Sequence, residues 1–343
     1  MLATACGSTV AVRTNVPRAD VFSVGADGAK LRNLTRTPRA WESQVSVSPD
    51  GSRVAFVRSA RADRGGRLLV VDAAGHGARE LGPAALSPDP TAPPAWSPDG
   101  RAIAFTNAVR CDEVICKTWE VWVVDVATGH RRRVTRRGMS PTWSPDGHRL
   151  AYAGNLVTGF TGRGYFTFST DIVVADLRTG RTRTLGRGRA PVWAPASDWI
   201  AYFTDARERL RLVHSDGSGA RGVSTYSAAP QWTPDGRLLF VRSPPDSDVA
   251  TVVVYSPRAG RRRARLLVRD ADGGFAASGD GRRLAWARFV YLRDEARSHD
   301  DLLVGRVGRR RGRVVVTGDP GARIGTLAWG HGRRIVFSAG RVS

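Results

Sequence analysis

Short apolar segments alternate with polar turn residues along almost the whole chain. In one clear stretch, an apolar segment ending at Trp96 is followed by Ser97-Pro98-Asp99-Gly100 and then by the apolar residues 103–105. Proline fixes φ for a turn, aspartate hydrogen-bonds the turn backbone, and glycine supplies a positive φ. Two further apolar segments follow, at 121–124 and 133–135. The pattern predicts four antiparallel strands joined as hairpins.

This unit recurs from end to end. The clearest copies are 96–105 and 143–152, and weaker copies begin at Val47, Trp193, Trp232, Ala277 and Trp329. Successive copies start 39 residues apart at the closest, from Trp193 to Trp232, and 52 at the widest, from Ala277 to Trp329. Propeller blades recur at about 40–45 residues plus insertions. The chain is therefore predicted to be an all-β, seven-bladed β-propeller of four-stranded blades, with six blades as the alternative.

The two ends of the chain supply complementary halves of one blade. The copy that begins at Trp329 is followed by only one more apolar segment, at 335–338, whereas segments at 21–24 and 31–35 match the third and fourth strands of other copies. Pairing the two halves closes the ring and removes exposed sheet edges. Residues 20–340 are therefore predicted to form one propeller domain, preceded by a tail at 1–19.

The repeat around Trp-Ser-Pro-Asp-Gly resembles the WD40-like Pro-Asp repeats of TolB-type propellers. The resemblance covers residues 20–338, and its motif is specific for the fold rather than for a function. It implies a periplasmic scaffold that docks other proteins, so we expect a non-enzymatic binding function in the cell envelope. It carries over no individual binding residue, because the repeated residues are structural. Propellers of this type often have six blades, so a count of seven departs from the family.

The charge of the chain adds a candidate surface. It has 53 basic and 31 acidic residues, a formal net charge of +22, and Lys30 and Lys117 are its only lysines. Such an arginine bias is typical of GC-rich genomes, and it also fits anionic partners such as anionic polymers, lipid head groups or nucleic acid. Arginine runs in predicted turns between third and fourth strands would form a basic collar on one rim. They are Arg131, Arg132, Arg133, Arg261, Arg262, Arg263, Arg309, Arg310 and Arg311.

The three cysteines indicate in which cellular compartment the protein works. Cys111 and Cys116 are close enough in sequence to form a disulfide, which would indicate an oxidising compartment. Cys6 follows small residues and resembles the lipid-modified cysteine of a bacterial lipoprotein, although residues 1–5 lack the charged and apolar regions of a signal. We expect an extracytoplasmic protein whose true start lies upstream, or a cytoplasmic one if Met1 is the true start. No apolar run reaches the ~20 residues of a transmembrane helix.

The longest predicted loops join second and third strands, so all of them open on one face, called here the top face. They include residues 106–119, 153–170 and 287–301. Long loops on a rigid scaffold often carry function, and aromatic residues often anchor interfaces. The blade-three loop contains Phe160, Tyr165, Phe166 and Phe168. These four are the predicted contacts of a protein or glycan partner, and the chain is expected to be a monomer.

Catalytic motifs are absent from the sequence. It has neither a Gly-x-Ser-x-Gly nucleophile elbow nor a His-Glu-x-x-His zinc motif, and its six histidines are scattered. We therefore expect no enzymatic activity, cofactor or metal site. The alternative is a lyase or hydrolase that uses the acidic residues of the predicted blade-six loop as acid and base. They are Asp294, Glu295, His299, Asp300 and Asp301.

Overall fold

Each copy of the repeat forms one blade of a closed ring in the computed structural model of the chain. The structure describes residues 10–12, 19–37, 39–60, 66–84, 93–111, 116–160, 166–204, 209–225, 227–242, 251–257, 265–269, 274–292, 298–307, 312–330 and 332–341. Within these residues, seven sheets make up the blades, each with four antiparallel strands. Six blades use four consecutive strands, and the seventh combines strands from the two ends of the chain. The prediction of an all-β, seven-bladed propeller is confirmed.

The strands are numbered along the chain, and every blade runs from an innermost first strand to an outermost fourth one. Blades one to three are β4 (Trp41–Val47), β5 (Arg53–Ser59), β6 (Gly66–Asp72) and β7 (Arg79–Ala84); β8 (Ala95–Trp96), β9 (Ala102–Cys111), β10 (Cys116–Asp125) and β11 (Arg131–Thr135); and β12 (Gly138–Trp143), β13 (Arg149–Phe160), β14 (Phe166–Asp176) and β15 (Thr182–Arg187). Blades four and five are β16 (Arg189–Trp193), β17 (Trp199–Thr204), β18 (Arg209–His214) and β19 (Arg221–Ser224); and β20 (Ser227–Trp232), β21 (Leu238–Arg242), β22 (Thr251–Tyr255) and β23 (Arg265–Arg269). Blade six is β24 (Phe275–Ala277), β25 (Arg283–Val290), β26 (His299–Arg306) and β27 (Arg313–Gly318).

Blade seven joins the two ends of the chain, as predicted. Its inner strands are β28 (Ala322–Trp329) and β29 (Arg334–Arg341), and its outer strands are β2 (Ala19–Gly25) and β3 (Arg32–Asn33). The register between β2 and β29 runs without a break from Ala19 opposite Gly340 to Gly25 opposite Arg334. In addition, β1 (Val10–Val12) pairs in parallel with β27 at the outer edge of blade six.

The Ser-Pro-Asp-Gly segment forms the turn between the first and second strands of a blade. In blade two, Ser97 Oγ donates to Asp99 Oδ1 (2.5 Å) and accepts from the Ala102 amide (2.9 Å), while Gly100 has a φ of 69°. The same arrangement of hydroxyl and carboxylate recurs at Ser48 with Asp50 and at Ser278 with Asp280. Blade six therefore keeps this turn although it lacks the Trp and Pro of the motif.

The hydrophobic core lies between neighbouring blades rather than inside each one. One cluster joins Val21 and Val336 of blade seven to Phe56 and Leu69 of blade one, all of them buried. Alternate residues of a strand point to opposite faces of the blade, so every blade packs against both the preceding and the following blade. Near the axis, amides of first strands bond threonines of the preceding blade: Val45 N to Thr326 Oγ1 at 3.0 Å, for example. The blades are thus held as one closed ring.

None of the described segments forms a helix of the length and hydrophobicity that a membrane crossing requires.

Candidate active site

The acidic group of blade six lies in a strand rather than in the predicted loop. His299, Asp300 and Asp301 are the first residues of β26, and they pair across the ladder with Val290, Phe289 and Arg288 of β25. The expected loop at 287–301 is corrected to a hairpin whose strands reach the top face. Asp294 and Glu295 lie outside the described residues. Because side chains alternate along a strand, Asp301 and His299 share one face and Asp300 occupies the other.

The face with Asp301 carries a carboxylate that is bonded on one side only. The Asp301 side chain is 9% exposed, and its Oδ2 lies 2.9 Å from Arg288 Nη2. Its Oδ1 has no hydrogen-bond partner among the described residues and lies 3.6 Å from His299 Nε2. A buried carboxylate oxygen normally has a partner, and catalytic hydrogen bonds are often long before substrate binds. An imidazole and a carboxylate in this arrangement resemble an oriented general base.

The opposite face of the same hairpin connects blade six to blade seven. Asp300 is buried, and its Oδ2 accepts from the Ile324 amide (2.7 Å) and from Arg323 Nε (3.2 Å). The Arg323 guanidinium lies 4.2 Å from the centre of the Phe289 ring, and Phe289 meets Tyr291 edge to face at 4.4 Å. This face therefore presents a column of two aromatic rings and one cation at the top of the propeller.

A metal site is not formed by the described residues. Within the described ranges, three or more His, Cys, Asp or Glu side chains nowhere come together in a group that could hold a metal ion. Among the described residues His299 and Asp301 provide only two such ligands, and the Arg288 guanidinium already neutralises the carboxylate through Oδ2. These residues do not fit a divalent cation, and no chemical step at this site is assigned to one.

Three of the four aromatic residues predicted to anchor a partner lie in the strands of a long hairpin of blade three. Phe160 is the last residue of β13 and pairs with Phe166 of β14, while Phe168 pairs with Thr158. Tyr165 lies outside the described residues. The expected loop at 153–170 is thus largely two strand arms, a correction that follows from the continuation of the antiparallel ladder beyond the blade. The role of these residues in binding stays a prediction.

Part of the predicted basic collar lies in the described structure. Arg132 Nη1 donates to the Leu177 carbonyl of the next blade at 2.7 Å. Arg133 pairs with Glu120 at 3.1 Å, and Arg131 and Arg133 both lie over the Trp122 ring. All three side chains therefore make contacts within the protein. Arg261–263 and Arg309–311 lie outside the described residues.

An arginine in the first or second position of the fourth strand has the same contact in several blades. Each donates from its guanidinium to a main-chain carbonyl in the next blade's turn between third and fourth strands. The pairs are Arg79 with Val126 and Ala127, Arg132 with Leu177, Arg183 with Asp216, Arg221 with Pro257 and Arg313 with Asp27. These inter-blade arginine bonds give the rim arginines a structural role that the sequence pattern did not reveal.

A second pair of buried acidic residues lies where blade seven meets blade one. Glu42 Oε1 accepts from Thr37 Oγ1 (2.8 Å) and Arg58 Nε (2.8 Å), and its Oε2 accepts from the Val21 amide (3.3 Å). Asp20 accepts from the Thr37 amide (3.1 Å) and from Asn33 Nδ2 (2.6 Å). Burial raises the pKa of Glu42 above its ordinary value, and the hydrogen bonds from Thr35 and Thr37 and the charge of Arg58 oppose this shift. This network ties the N-terminal half-blade to blade one.

The cysteines are described by their backbone positions alone. Cys111 ends β9, Cys116 begins β10, and the ladder places them directly opposite each other. Cys6 lies outside the described residues. The disulfide and the lipid modification therefore stay predictions.

A search of solved structures finds this propeller in proteins with different functions, whereas protein-family models and curated protein sequences give no match. A TolB protein from Agrobacterium tumefaciens is 17% identical, covers 94% of this chain and 97% of its own, and has a TM-score of 0.52. The fold is that of TolB-type propellers. An oligogalacturonate lyase from Vibrio parahaemolyticus is 11% identical, covers 94% of this chain and 97% of its own, and has a TM-score of 0.64. An oligogalacturonate lyase in complex with manganese is 15% identical, covers 87% of this chain and 88% of its own, and has a TM-score of 0.60.

The TolB-like resemblance is confirmed, but the expectation of a non-enzymatic scaffold is corrected. The fold matches the two lyases with TM-scores of 0.60 and 0.64 and the TolB protein with 0.52, so it is an enzyme's fold as much as a scaffold's. The comparisons favour the alternative prediction from the sequence, a lyase or hydrolase that uses the acidic residues of blade six. The expectation of a non-enzymatic protein rested on the absence of contiguous catalytic motifs, and side chains contributed by two blades form no such motif. Arg288, Arg323, Phe289 and Tyr291 carried no sequence signal, and only their positions beside the blade-six acidic residues reveal them.

Proposed function

We propose that the chain is an enzyme that cleaves an anionic glycan, with its active site at the top of blade six. The observation that carries this proposal is Asp301, which is buried between Arg288 and His299 and has one oxygen without a hydrogen-bond partner among the described residues. The net charge of +22 favours an anionic substrate. The similarity of the fold to oligogalacturonate lyases supports a polymer of uronic acids as the substrate class.

The reaction that these side chains suit is β-elimination. A general base removes the proton from the carbon next to the sugar carboxylate, and the electron pair forms a double bond to the neighbouring ring carbon. The bond from that carbon to the glycosidic oxygen breaks, and the oxygen takes up a proton from water. His299 acts as the base, and Asp301 orients its imidazole and stabilises the imidazolium that forms. Arg288, on the same face of the hairpin as His299, neutralises the substrate carboxylate, which makes the proton easier to remove.

The test is to incubate the purified protein with oligogalacturonate and follow the ultraviolet absorbance of the new double bond, with mass spectrometry of the products. Loss of a positioned general base typically costs 10²–10⁴-fold in rate, so His299→Ala should lower kcat by about that factor. Asp301→Asn should lower it as well, because the amide cannot stabilise an imidazolium. His130→Ala alters an exposed turn histidine on the opposite face and is the matched control. Cleavage that His299→Ala leaves unchanged would contradict the assignment of the site.

We also propose that the protein works outside the cytoplasm, with Cys6 as a lipid anchor and a disulfide between Cys111 and Cys116. The opposed backbone positions of Cys111 and Cys116 support the disulfide. A fusion of the chain, with its upstream coding region, to a reporter that is active only after export tests the location. An inactive fusion that is nevertheless full-length and soluble would overturn it.

A further inference from the structure

The top of blade six exposes an aromatic ring that the propeller does not use for its own packing. Tyr291 is 81% exposed, and it and Leu292 are the exposed large hydrophobic residues within the described ranges. The Tyr291 ring is nevertheless held in place, because Phe289 packs against it edge to face at 4.4 Å. The Leu292 amide donates to Ser298 Oγ at 3.0 Å and fixes the backbone that follows. A supported ring that faces solvent is suited to contact a ligand.

The partly exposed guanidinium of Arg323 lies at the other end of the same aromatic column. Arg323 packs over Phe289 at 4.2 Å and donates from Nε to Asp300. Its side chain is 47% exposed. Among the described residues its guanidinium hydrogen-bonds through Nε, which leaves the two terminal nitrogens available to a ligand. Terminal guanidinium nitrogens bind carboxylates with defined geometry. Buried Asp300 holds the position of the guanidinium while leaving this edge available.

We infer that Tyr291 and Arg323, with Phe289 between them, form a subsite for one carboxylated sugar ring of the glycan. The apolar face of the sugar packs on Tyr291, and its carboxylate binds the terminal nitrogens of Arg323. The Tyr291 ring and the Arg323 guanidinium both contact Phe289 directly, so their separation suits a single sugar ring and its carboxyl group. The inference rests on the proposed function and names Arg323 as the residue that selects an acidic sugar and Tyr291 as the ring on which that sugar packs.

This subsite lies beside the general base and does not include it. Tyr291, Phe289 and Asp300 lie on one face of the β25–β26 hairpin, whereas Arg288, Asp301 and His299 lie on the other. A ring bound on Tyr291 is therefore a neighbour of the sugar that reacts. Changes at Tyr291 and Arg323 should raise KM, and changes at His299 should lower kcat.

The test measures binding and cleavage separately. Binding of oligogalacturonate to the His299→Ala protein is measured by calorimetry, with a neutral galactose oligomer of the same length as the comparison. In that background Tyr291→Ala should weaken binding by about tenfold, which is the upper range of one aromatic contact, and Tyr291→Phe should keep it. Arg323→Gln should reduce the preference for the acidic oligomer over the neutral one by about tenfold. Thermal melting confirms that each variant is folded.

The outcomes separate the two proposals. If no glycan is cleaved but acidic oligomers bind and Tyr291→Ala and Arg323→Gln weaken that binding, the subsite stands and the proposed reaction fails. If glycan is cleaved with an unchanged KM in Tyr291→Ala and Arg323→Gln, the reaction stands and the subsite is overturned. Equal binding of neutral and acidic oligomers overturns the role of Arg323. Loss of a protein–protein contact on Tyr291→Ala, with glycan binding intact, would assign the exposed ring to a protein partner and also overturn the subsite.

Discussion

The Arg132 guanidinium of blade two donates a hydrogen bond to the Leu177 carbonyl of blade three, with 2.7 Å between Nη1 and O. Equivalent arginines connect other neighbouring blades at the same height. A guanidinium is well suited to this contact because it offers several donors at the end of a long side chain. A carbonyl acceptor carries no formal charge, so the Arg132 contact contributes to stability without removing a positive charge from the protein.

Replacing Arg132 by Ala should lower the free energy of unfolding by about 1 kcal/mol, the size of one partly exposed hydrogen bond. The effect should change little with salt, since the acceptor is a neutral carbonyl. Urea unfolding at low and high salt measures both. Arg181→Ala is the control, because Arg181 is equally exposed and no contact of its guanidinium is found among the described residues. Equal losses in the two variants would show that the contact with Leu177 does not stabilise the ring.

The buried Glu42 should make stability depend on pH. Burial raises its pKa in the folded protein above the ordinary value of 4.5, so the folded state takes up a proton more readily than the unfolded chain. Its contribution to stability is complete below pH 4.5 and is lost as the pH rises through the higher, folded pKa. Glu42→Gln should remove this dependence. Urea unfolding over a pH series measures it, with Glu80→Gln as the control at an exposed ion pair. A pH profile that is the same in Glu42→Gln and the parent protein would contradict the prediction.

Closure of the ring by the N-terminal half-blade should be essential for stability. A chain without residues 1–36 loses β2 and β3, and this loss exposes the edge of β29. It also removes the buried side chains of Val21, Phe22 and Val24 from the core of the propeller. A chain without residues 1–18 loses only β1 at the outer edge of blade six and should melt close to the full-length protein. Thermal melting and light scattering compare the two. Similar melting temperatures would mean that β2 is not required to close blade seven.

Cys111 and Cys116 should form a disulfide in protein from an oxidising compartment, because the ladder places them opposite each other. The loop that this bond closes is short, so it should add at most ~2–3 kcal/mol to stability. Mass spectrometry after alkylation without reductant decides between the oxidised pair and two thiols. Two alkylated cysteines would remove the disulfide and the main support for export.

The fold could be predicted because its determinants are local and repeated. Ser48 and Ser97 bond aspartates two residues later, and such short-range chemistry is visible in the sequence. The site could not be predicted to the same extent. Asp is uncommon in strands, so the polar start of β26 gave the pattern of a loop. Glu42 meets the Val21 amide of another blade, and Arg323 meets Phe289, and neither contact follows from spacing along the chain.

The register of blade seven decides where the chain enters and leaves the propeller. Ala19 lies directly opposite Gly340, so both ends of the ring emerge side by side on the top face. Blade six, with His299 and Tyr291, is the immediate neighbour on that face. A membrane tether or a fused module attached before Ala19 or after Gly340 would consequently be held next to the proposed glycan site, and it would set the direction from which a long polymer can approach.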